Sequence, residues 1–213
     1  MTQWKTLRTS LVLAALLAAT PTFAGDGEIS GFIGGLLGGD LNQLEAGNIT
    51  SSFKNGIVYG VRGGWYGHPL AVEGSFAYAP SGLTGVVEDN VFAVDTRVTY
   101  LDANLLLIIL PTAVSPFVTG GVGLQSFDFQ GDIAPAALVN VDLVTVNKFG
   151  FNFGAGIKAN IKRVALRLDI RDHLTTFTQD DFGLLGQIAE IAGITFDETV
   201  HNVEVSFGVG FRF

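Results

Sequence analysis

Three histidines, His68, His173 and His201, are the side chains in this sequence best suited to acid–base chemistry or metal binding near neutral pH. His173 lies in the segment "RLDIRDHLTTF", beside Asp172 and close to the hydroxyl of Thr175, so it could assist a hydrolytic reaction. No histidine lies at ligand spacing from another, and the chain has no cysteine. We therefore expect no metal, no cofactor and no thiol chemistry, and we expect His173 to join neighbouring charged residues.

Charged residues form a second group, because they alternate with apolar residues along several segments. In "RVALRLDIRDHL" every second residue from Val164 to Ile170 is apolar, and in "HNVEVSFGVGFRF" valines and phenylalanines alternate with Glu204 and Arg212. This alternation predicts β-strands with one polar and one apolar face. Eleven charged residues fall on the predicted polar faces: Arg62, Glu73, Asp95, Arg97, Asp102, Lys158, Arg167, Asp169, Arg171, Glu204 and Arg212.

The alternation recurs in eight segments, separated by residues that favour turns. The predicted strands span about 28–39, 56–67, 70–79, 91–108, 115–129, 148–161, 163–174 and 201–213. The fourth segment changes phase near Leu101, so a β-bulge is predicted there, with Val94, Val98 and Tyr100 on the apolar face before it.

Connections between the predicted strands alternate in length. Short turns are predicted at 67–68, 111–114 and 162–163, and long connections at about 40–55, 80–90, 130–147 and 175–198. Short turns at one end and long loops at the other are typical of bacterial outer-membrane barrels, whose short turns and chain termini lie in the periplasm.

Composition and the N-terminal segment agree with export to a membrane. The chain is 48% hydrophobic and only 15% charged, but no segment has the roughly 20 consecutive apolar residues of a transmembrane helix. Residues 1–24 combine Lys5 and Arg8, an apolar stretch and "TFA", which predicts a cleaved signal peptide. Residues 25–213 then form one domain, and a closed barrel is the remaining structure that can cross a bilayer.

Two faces of opposite polarity fit either a soluble barrel with a polar outside or a membrane barrel with a polar inside. Aromatic residues near the predicted strand ends favour the membrane barrel, which carries an aromatic girdle at each interface. The predicted polar faces are also rich in glycine, which suits a crowded interior. The predicted girdles contain Trp65, Phe211 and Phe213 at the lower end and Tyr78, Phe149 and Phe151 at the upper end.

Several segments resemble the small outer-membrane β-barrel family of Gram-negative bacteria, typified by the barrel domain of outer-membrane protein A. They are the signal peptide, "PFVTGGVGL" (116–124), "FNFGAGIKANI" (151–161), "RLDIRDH" (167–173) and the terminal "FGVGFRF". The resemblance implies an all-β fold, an eight-stranded antiparallel up-and-down transmembrane β-barrel in the bacterial outer membrane. It also implies that Phe207, Phe211 and Phe213 act as the signal for the barrel-assembly machinery. Because the chain stops at Phe213, no periplasmic cell-wall-binding domain is expected.

A barrel of eight strands is narrow enough for side chains to fill its interior. The six basic and five acidic residues on the polar faces are therefore expected to pair with each other, since an unpaired buried charge is costly. We expect a structural or surface-interaction role without catalysis. A narrow channel or small-ligand conduit is the first alternative. A lipid A-modifying hydrolase is the second, although "DHLTTF" lacks the serine that such enzymes place two residues after the histidine.

The expected partners follow from location and charge. Outer-membrane lipid, lipopolysaccharide and the barrel-assembly machinery are expected for a monomer in this membrane. The predicted long loops are acidic, which suits divalent cations that bridge to lipopolysaccharide. The formal net charge of −8 makes a nucleic-acid partner a poor match.

Overall fold

The computed structural model describes residues 25–38, 40–41, 50–87, 90–130, 145–178 and 197–213. These residues form ten β-strands of one antiparallel sheet. The strands are β1 (Asp26–Leu37), β2 (Asp40–Leu41), β3 (Thr50–Phe53), β4 (Gly56–Tyr66), β5 (Leu70–Val87), β6 (Asn90–Ile108), β7 (Val114–Gln130), β8 (Thr145–Ile161), β9 (Val164–Thr178) and β10 (Asp197–Arg212). No helix of the described residues is long and apolar enough to cross a membrane.

Eight of these strands close into a barrel. β4 to β10 each pair with their neighbours in the chain, β1 pairs with both β4 and β10, and the pairing of β5 with β6 completes the ring. β2 and β3 are short extensions at the end of the barrel opposite the short turns. The structure thus confirms the predicted eight-stranded antiparallel up-and-down barrel.

Side chains alternate between the two faces of each strand, and the apolar set points outward. On β10, Val205, Phe207 and Val209 are exposed on the outer surface, whereas Glu204 and Ser206 are buried inside. The apolar outward row of β10 covers the eleven residues 203–213, and that of β7 covers the eleven residues 114–124. A transmembrane strand needs about 9–11 residues. The outer surface therefore carries an apolar band of the height that a bilayer requires.

A shift of one residue interrupts one barrel strand. β3 and β4 both pair with the same side of β5, and a gap separates them at Lys54 and Asn55. The register shifts by one residue across the gap, from Phe53↔Leu83 to Tyr59↔Tyr78, as in a β-bulge. Other groups bridge the gap: Lys54 N donates to Gly82 O at 2.6 Å, and Ser81 Oγ donates to Lys54 O at 2.7 Å. The two segments therefore act as one long strand with a local break.

The predicted β-bulge near Leu101 is wrong. β5 and β6 pair without interruption from Leu70↔Leu107 to Val87↔Asn90. Val98 and Tyr100 are buried inside the barrel, not on its apolar outer face, and the predicted long connection at 80–90 is largely strand. The error has a physical cause: polar and apolar residues exchange faces where the strands continue beyond the apolar band.

The predicted short turns are confirmed at residues 67–69, 109–113 and 162–163, all at one end of the barrel. At the last of these, Lys162 adopts a φ of 55°, which lets two residues reverse the chain between β8 and β9. The predicted signal peptide, residues 1–24, lies outside the described residues.

Candidate functional site

A network of ion pairs fills the middle of the barrel. Arg167 contacts Asp169 at two points, with Nε–Oδ2 at 2.7 Å and Nη2–Oδ1 at 2.8 Å, and it also pairs with Glu73. Arg171 contacts Glu73 Oε1 at 2.6 Å and Asp169 Oδ1 at 3.4 Å. All four side chains are almost completely buried. β9 positions three of them, because residues 167, 169 and 171 alternate inward on a single strand.

Arg62 extends this network across the barrel to β10. Its Nη1 lies 3.2 Å from Asp169 Oδ2, and its Nη2 donates to Glu204 Oε1 at 2.5 Å and to Ser206 Oγ at 3.0 Å. The guanidinium also lies 3.8 Å above the ring of Phe32. Arg62, and Arg167 over the ring of Phe117, thus have both carboxylate partners and a neighbouring ring that limits their contact with water.

The structure places most, but not all, of the predicted interior charges inside the barrel. Arg97 is exposed on the outer face, so its predicted inward position is wrong. Arg212 is partly exposed at the rim, where it pairs with Asp26. The side chain of Asp95 lies outside the described residues. The buried members are Arg62, Glu73, Asp102, Lys158, Arg167, Asp169, Arg171 and Glu204.

Sequence analysis missed one buried acid, Glu28, because the glycine-rich β1 showed no clear alternation. Glu28 Oε2 lies 2.7 Å from Lys158 Nζ, and the ammonium sits 3.3 Å from the centre of the Tyr66 ring. The Tyr66 hydroxyl donates to Glu73 and so connects this pair to the central network. Ser30 and Phe32 are separated from Glu28 by even numbers of residues and so share its face of β1. Their inward position was the available signal that Glu28 also points inward.

Inward glycines provide the room for these long polar side chains. A Cβ at Gly123 would overlap the carboxylate of Asp102, and a Cβ at Gly121 would overlap the amide of Asn104. Glycine is thus required at these positions by the close approach of side chains from β6 to the backbone of β7.

His173 is buried within the barrel and stacks against Tyr100, with 4.2 Å between the ring centres. Its Nδ1 lies 3.9 Å from Asp102 Oδ2 and its Nε2 lies 3.6 Å from Glu204 Oε2. These distances exceed those of hydrogen bonds. His201 lies instead on the outer face, where Nδ1 is 2.7 Å from Asp172 Oδ2. His68 is exposed in a short turn, so the structure does not bring the three histidines together.

Two apolar clusters lie inside the barrel on either side of the charged network. The cluster at the turn end contains Tyr66, Ala71, Leu106 and Phe117. The larger cluster lies toward the opposite end and contains Phe32, Leu36, Val58, Ala77, Ala79, Val98, Tyr100, Phe127, Val146 and Val200. The sequence pattern predicted a polar interior throughout, whereas the structure shows a charged centre between two apolar layers.

A cavity of about 560 Å³ opens at the turn end of the barrel. Its lining includes apolar surface from Tyr66, Leu106, Ile108 and Phe117. Charged and polar side chains of Asp26, Lys158, Asn160 and Arg212 also line it, and residues of two short turns lie at its mouth. We refer to this space as the turn-end cavity. Tyr66, Glu73 and Arg167, which contact one another, lie buried at its inner side.

The three predicted assembly-signal residues, Phe207, Phe211 and Phe213, are exposed on the outer face of β10. Phe213 also lies at the end of the pairing between β1 and β10 that closes the barrel. Its N–H donates to Gly27 O at 2.9 Å, and Gly27 N donates to Phe213 O at 3.1 Å. The Phe213 ring covers Gly27, where a Cβ would collide with it. The predicted girdle residues Trp65, Phe149, Phe151 and Tyr78 also lie on outward rows.

A closed barrel with an apolar outside and a polar centre agrees with the known proteins that this chain matches. The family model of the outer membrane protein beta-barrel domain matches residues 10–213. The chain belongs to this family. Its location is therefore the bacterial outer membrane. In bacterial barrels of this kind the short turns lie at the periplasmic end. A search of the curated proteins finds no match to the chain.

Solved structures of other outer-membrane barrels share this fold. Neisserial surface protein A (NspA) is 11% identical, with 88% of this chain and 97% of that chain covered and a TM-score of 0.59. The outer membrane protein OprG from Pseudomonas aeruginosa is 14% identical, with 90% of this chain and 97% of that chain covered and a TM-score of 0.55. At these identities the similarity concerns the fold.

Proposed function

We propose that this protein is a sealed outer-membrane barrel that acts through its outer end, by presenting a surface for interaction. In this proposal it neither transports solutes nor catalyses a reaction. The observation that carries the proposal is the filled interior, in which ion-paired side chains and an apolar cluster follow each other along the barrel axis.

The order of the interior layers supports the absence of a conducting path. A solute that entered the periplasmic mouth would meet the buried ion pairs of Arg62, Glu73 and Arg167. Beyond them it would meet the larger apolar cluster, in which the Tyr100 hydroxyl is the one polar side-chain group and cannot replace the hydration shell of an ion. The conduit alternative would require both layers to rearrange.

The surroundings of His173 support the absence of catalysis there. The imidazole is buried against Tyr100, and neither ring nitrogen lies within hydrogen-bond distance of a carboxylate. The nearby Thr175 hydroxyl donates to Gln125 instead. A nucleophile needs a base within about 2.6–3.2 Å, so this arrangement lacks the contact from which a triad begins.

The length of β5 and β6 supports a role for the outer end. A strand needs about 9–11 residues to cross the bilayer, whereas β5 has 18 residues and β6 has 19. The hairpin continues to the pair Val87↔Asn90, and β3 pairs along its other edge. This sheet extension therefore stands beyond the apolar band, where the acidic connecting loops are expected to meet lipopolysaccharide or a partner through divalent cations.

Cysteine labelling tests this orientation directly, because the chain contains no native cysteine. Asn90→Cys places a thiol at the hairpin end, and Thr112→Cys places a matched thiol in an exposed turn at the other end. A maleimide that cannot cross membranes should label Asn90→Cys on intact cells. It should label Thr112→Cys only after the outer membrane is permeabilised. The reverse result, or equal labelling of both on intact cells, would refute presentation of the hairpin at the cell surface.

A further inference from the structure

The turn-end cavity is a compartment that the proposed surface role does not use. Its volume of about 560 Å³ falls within the range of small-molecule sites, which is roughly 300–1,000 Å³. All the residues that line it are described, and they come from β1, β4, β6, β7, β8 and β10 and from two short turns. The cavity is therefore held by the rigid part of the barrel.

The lining of the cavity combines two kinds of chemistry. Leu106, Ile108 and Phe117 offer apolar surface. Lys158 and Arg212 supply two cations, and the carboxylate of Asp26 lies beside Arg212. A ligand that uses both kinds of group needs an apolar body and a negatively charged group that replaces Asp26 on Arg212.

The cations are not equally available to a ligand. Lys158 is buried, pairs with Glu28 at 2.7 Å and rests on the Tyr66 ring, so it is already engaged. Arg212 Nη2 pairs with Asp26, whose side chain is 60% exposed, and Arg212 Nε lies 3.9 Å from Glu28 Oε2 without a hydrogen-bond partner. An exposed carboxylate is weakly held by an ion pair in water. Arg212 is therefore the cation that an incoming anion can engage.

We propose that the turn-end cavity binds small carboxylic acids with an aromatic or aliphatic body, with the carboxylate on Arg212 and the body against Phe117 and Leu106. The site faces the periplasm and ends blindly at the central ion pairs. It is thus a binding site and not the entrance of a pore. The proposal does not depend on the surface role of the outer end.

Calorimetric titration of the full barrel in lipid nanodiscs tests the proposal. The probes are 3-phenylpropanoate and 3-phenylpropan-1-ol, which share a body and differ in charge, and empty nanodiscs correct for partition into lipid. The acid should bind saturably and about tenfold or more tightly than the alcohol. The absence of saturable binding, or equal affinity for the two probes, would overturn the proposal.

Two variants locate the site. Arg212→Gln should weaken binding of the acid about tenfold and leave the weaker binding of the alcohol unchanged. The matched control Arg163→Gln removes a cation of the adjacent turn that does not line the cavity, and it should bind the acid like the unmodified protein. Ser115→Phe should block both probes by filling the cavity without a change in charge. Unchanged acid binding in either Arg212→Gln or Ser115→Phe, each checked for folding by heat-modifiable gel mobility, would contradict the assignment.

Discussion

Arg167 and Asp169 stand two residues apart on β9 and form a two-point ion pair inside the barrel, with contacts of 2.7 and 2.8 Å. The geometry is unusual for residues so close in sequence, and it requires a strand on which both side chains point to the same narrow interior. Asp169 also contacts Arg62 and Arg171, so one carboxylate serves three guanidinium groups. Asp169 is therefore the most connected acid of the network.

Replacement of Asp169 should be strongly destabilising. In Asp169→Asn the three arginines lose a shared counterion while they stay buried, and breaking a buried ion pair in this way costs about 3–5 kcal/mol. The free energy of unfolding in urea, measured in lipid vesicles, checks this value. Asp26→Asn is the matched control, because it breaks an exposed pair with Arg212 and should cost less than about 1 kcal/mol. Equal losses in the two variants would show that burial does not determine the contribution of these pairs.

Adjacent glycines on β1 should respond differently to the same substitution. At Gly34, which faces inward, a Cβ would collide with backbone atoms of Val205 and Ser206, across the pairing that closes the barrel. At Gly35, which faces outward, a Cβ would meet nothing within 4 Å. Gly34→Ala should therefore destabilise the barrel by about 1–3 kcal/mol, whereas Gly35→Ala should be close to neutral. Urea unfolding of both variants decides this, and a larger loss for Gly35→Ala would contradict the register of β1 with β10.

Phe213 should matter more for assembly in cells than for the stability of the folded barrel. Phe213→Glu keeps the backbone pairing with Gly27 but removes the exposed ring from the outer face. We expect little folded protein in the outer membrane of cells, and near-normal folding into lipid vesicles without the assembly machinery. Phe213→Tyr, which retains the ring, is the control and should behave normally in both assays. Equal folding of Phe213→Glu and Phe213→Tyr in cells would refute the role of the terminal phenylalanine as an assembly signal.

The fold could be predicted from the sequence where charged and apolar residues alternate without a gap. β9 is the best case, because Arg167, Asp169 and Arg171 share one parity and leucines and isoleucine share the other. β1 gave no such signal, since glycines lie on both of its faces and carry no polarity. The inward position of Glu28 is consequently indicated only by the parity that it shares with Ser30 and Phe32, and the register with β4 and β10 establishes it.

The placement of Val98, Tyr100 and Arg97 shows a second limit. Polarity indicates the facing of a residue only within the apolar band, where lipid lies outside and charge lies inside. Above that band the barrel is surrounded by water. An apolar side chain is therefore more stable when it points inward, and an arginine is more stable when it points outward. The burial of Val98 and the exposure of Arg97 result from this reversal. The stacking of Arg62 on Phe32 could not be predicted, because it joins separate strands.

The sealed interior is the central claim, and single-channel recording in planar lipid bilayers tests it most directly. The purified, folded protein should produce no stable current steps across the range of voltages at which a general porin, inserted under the same conditions, conducts. The network of Arg62, Glu73, Asp169, Arg171 and Glu204 and the apolar cluster beyond it account for that result. Reproducible current steps that scale with the number of inserted barrels would contradict the account.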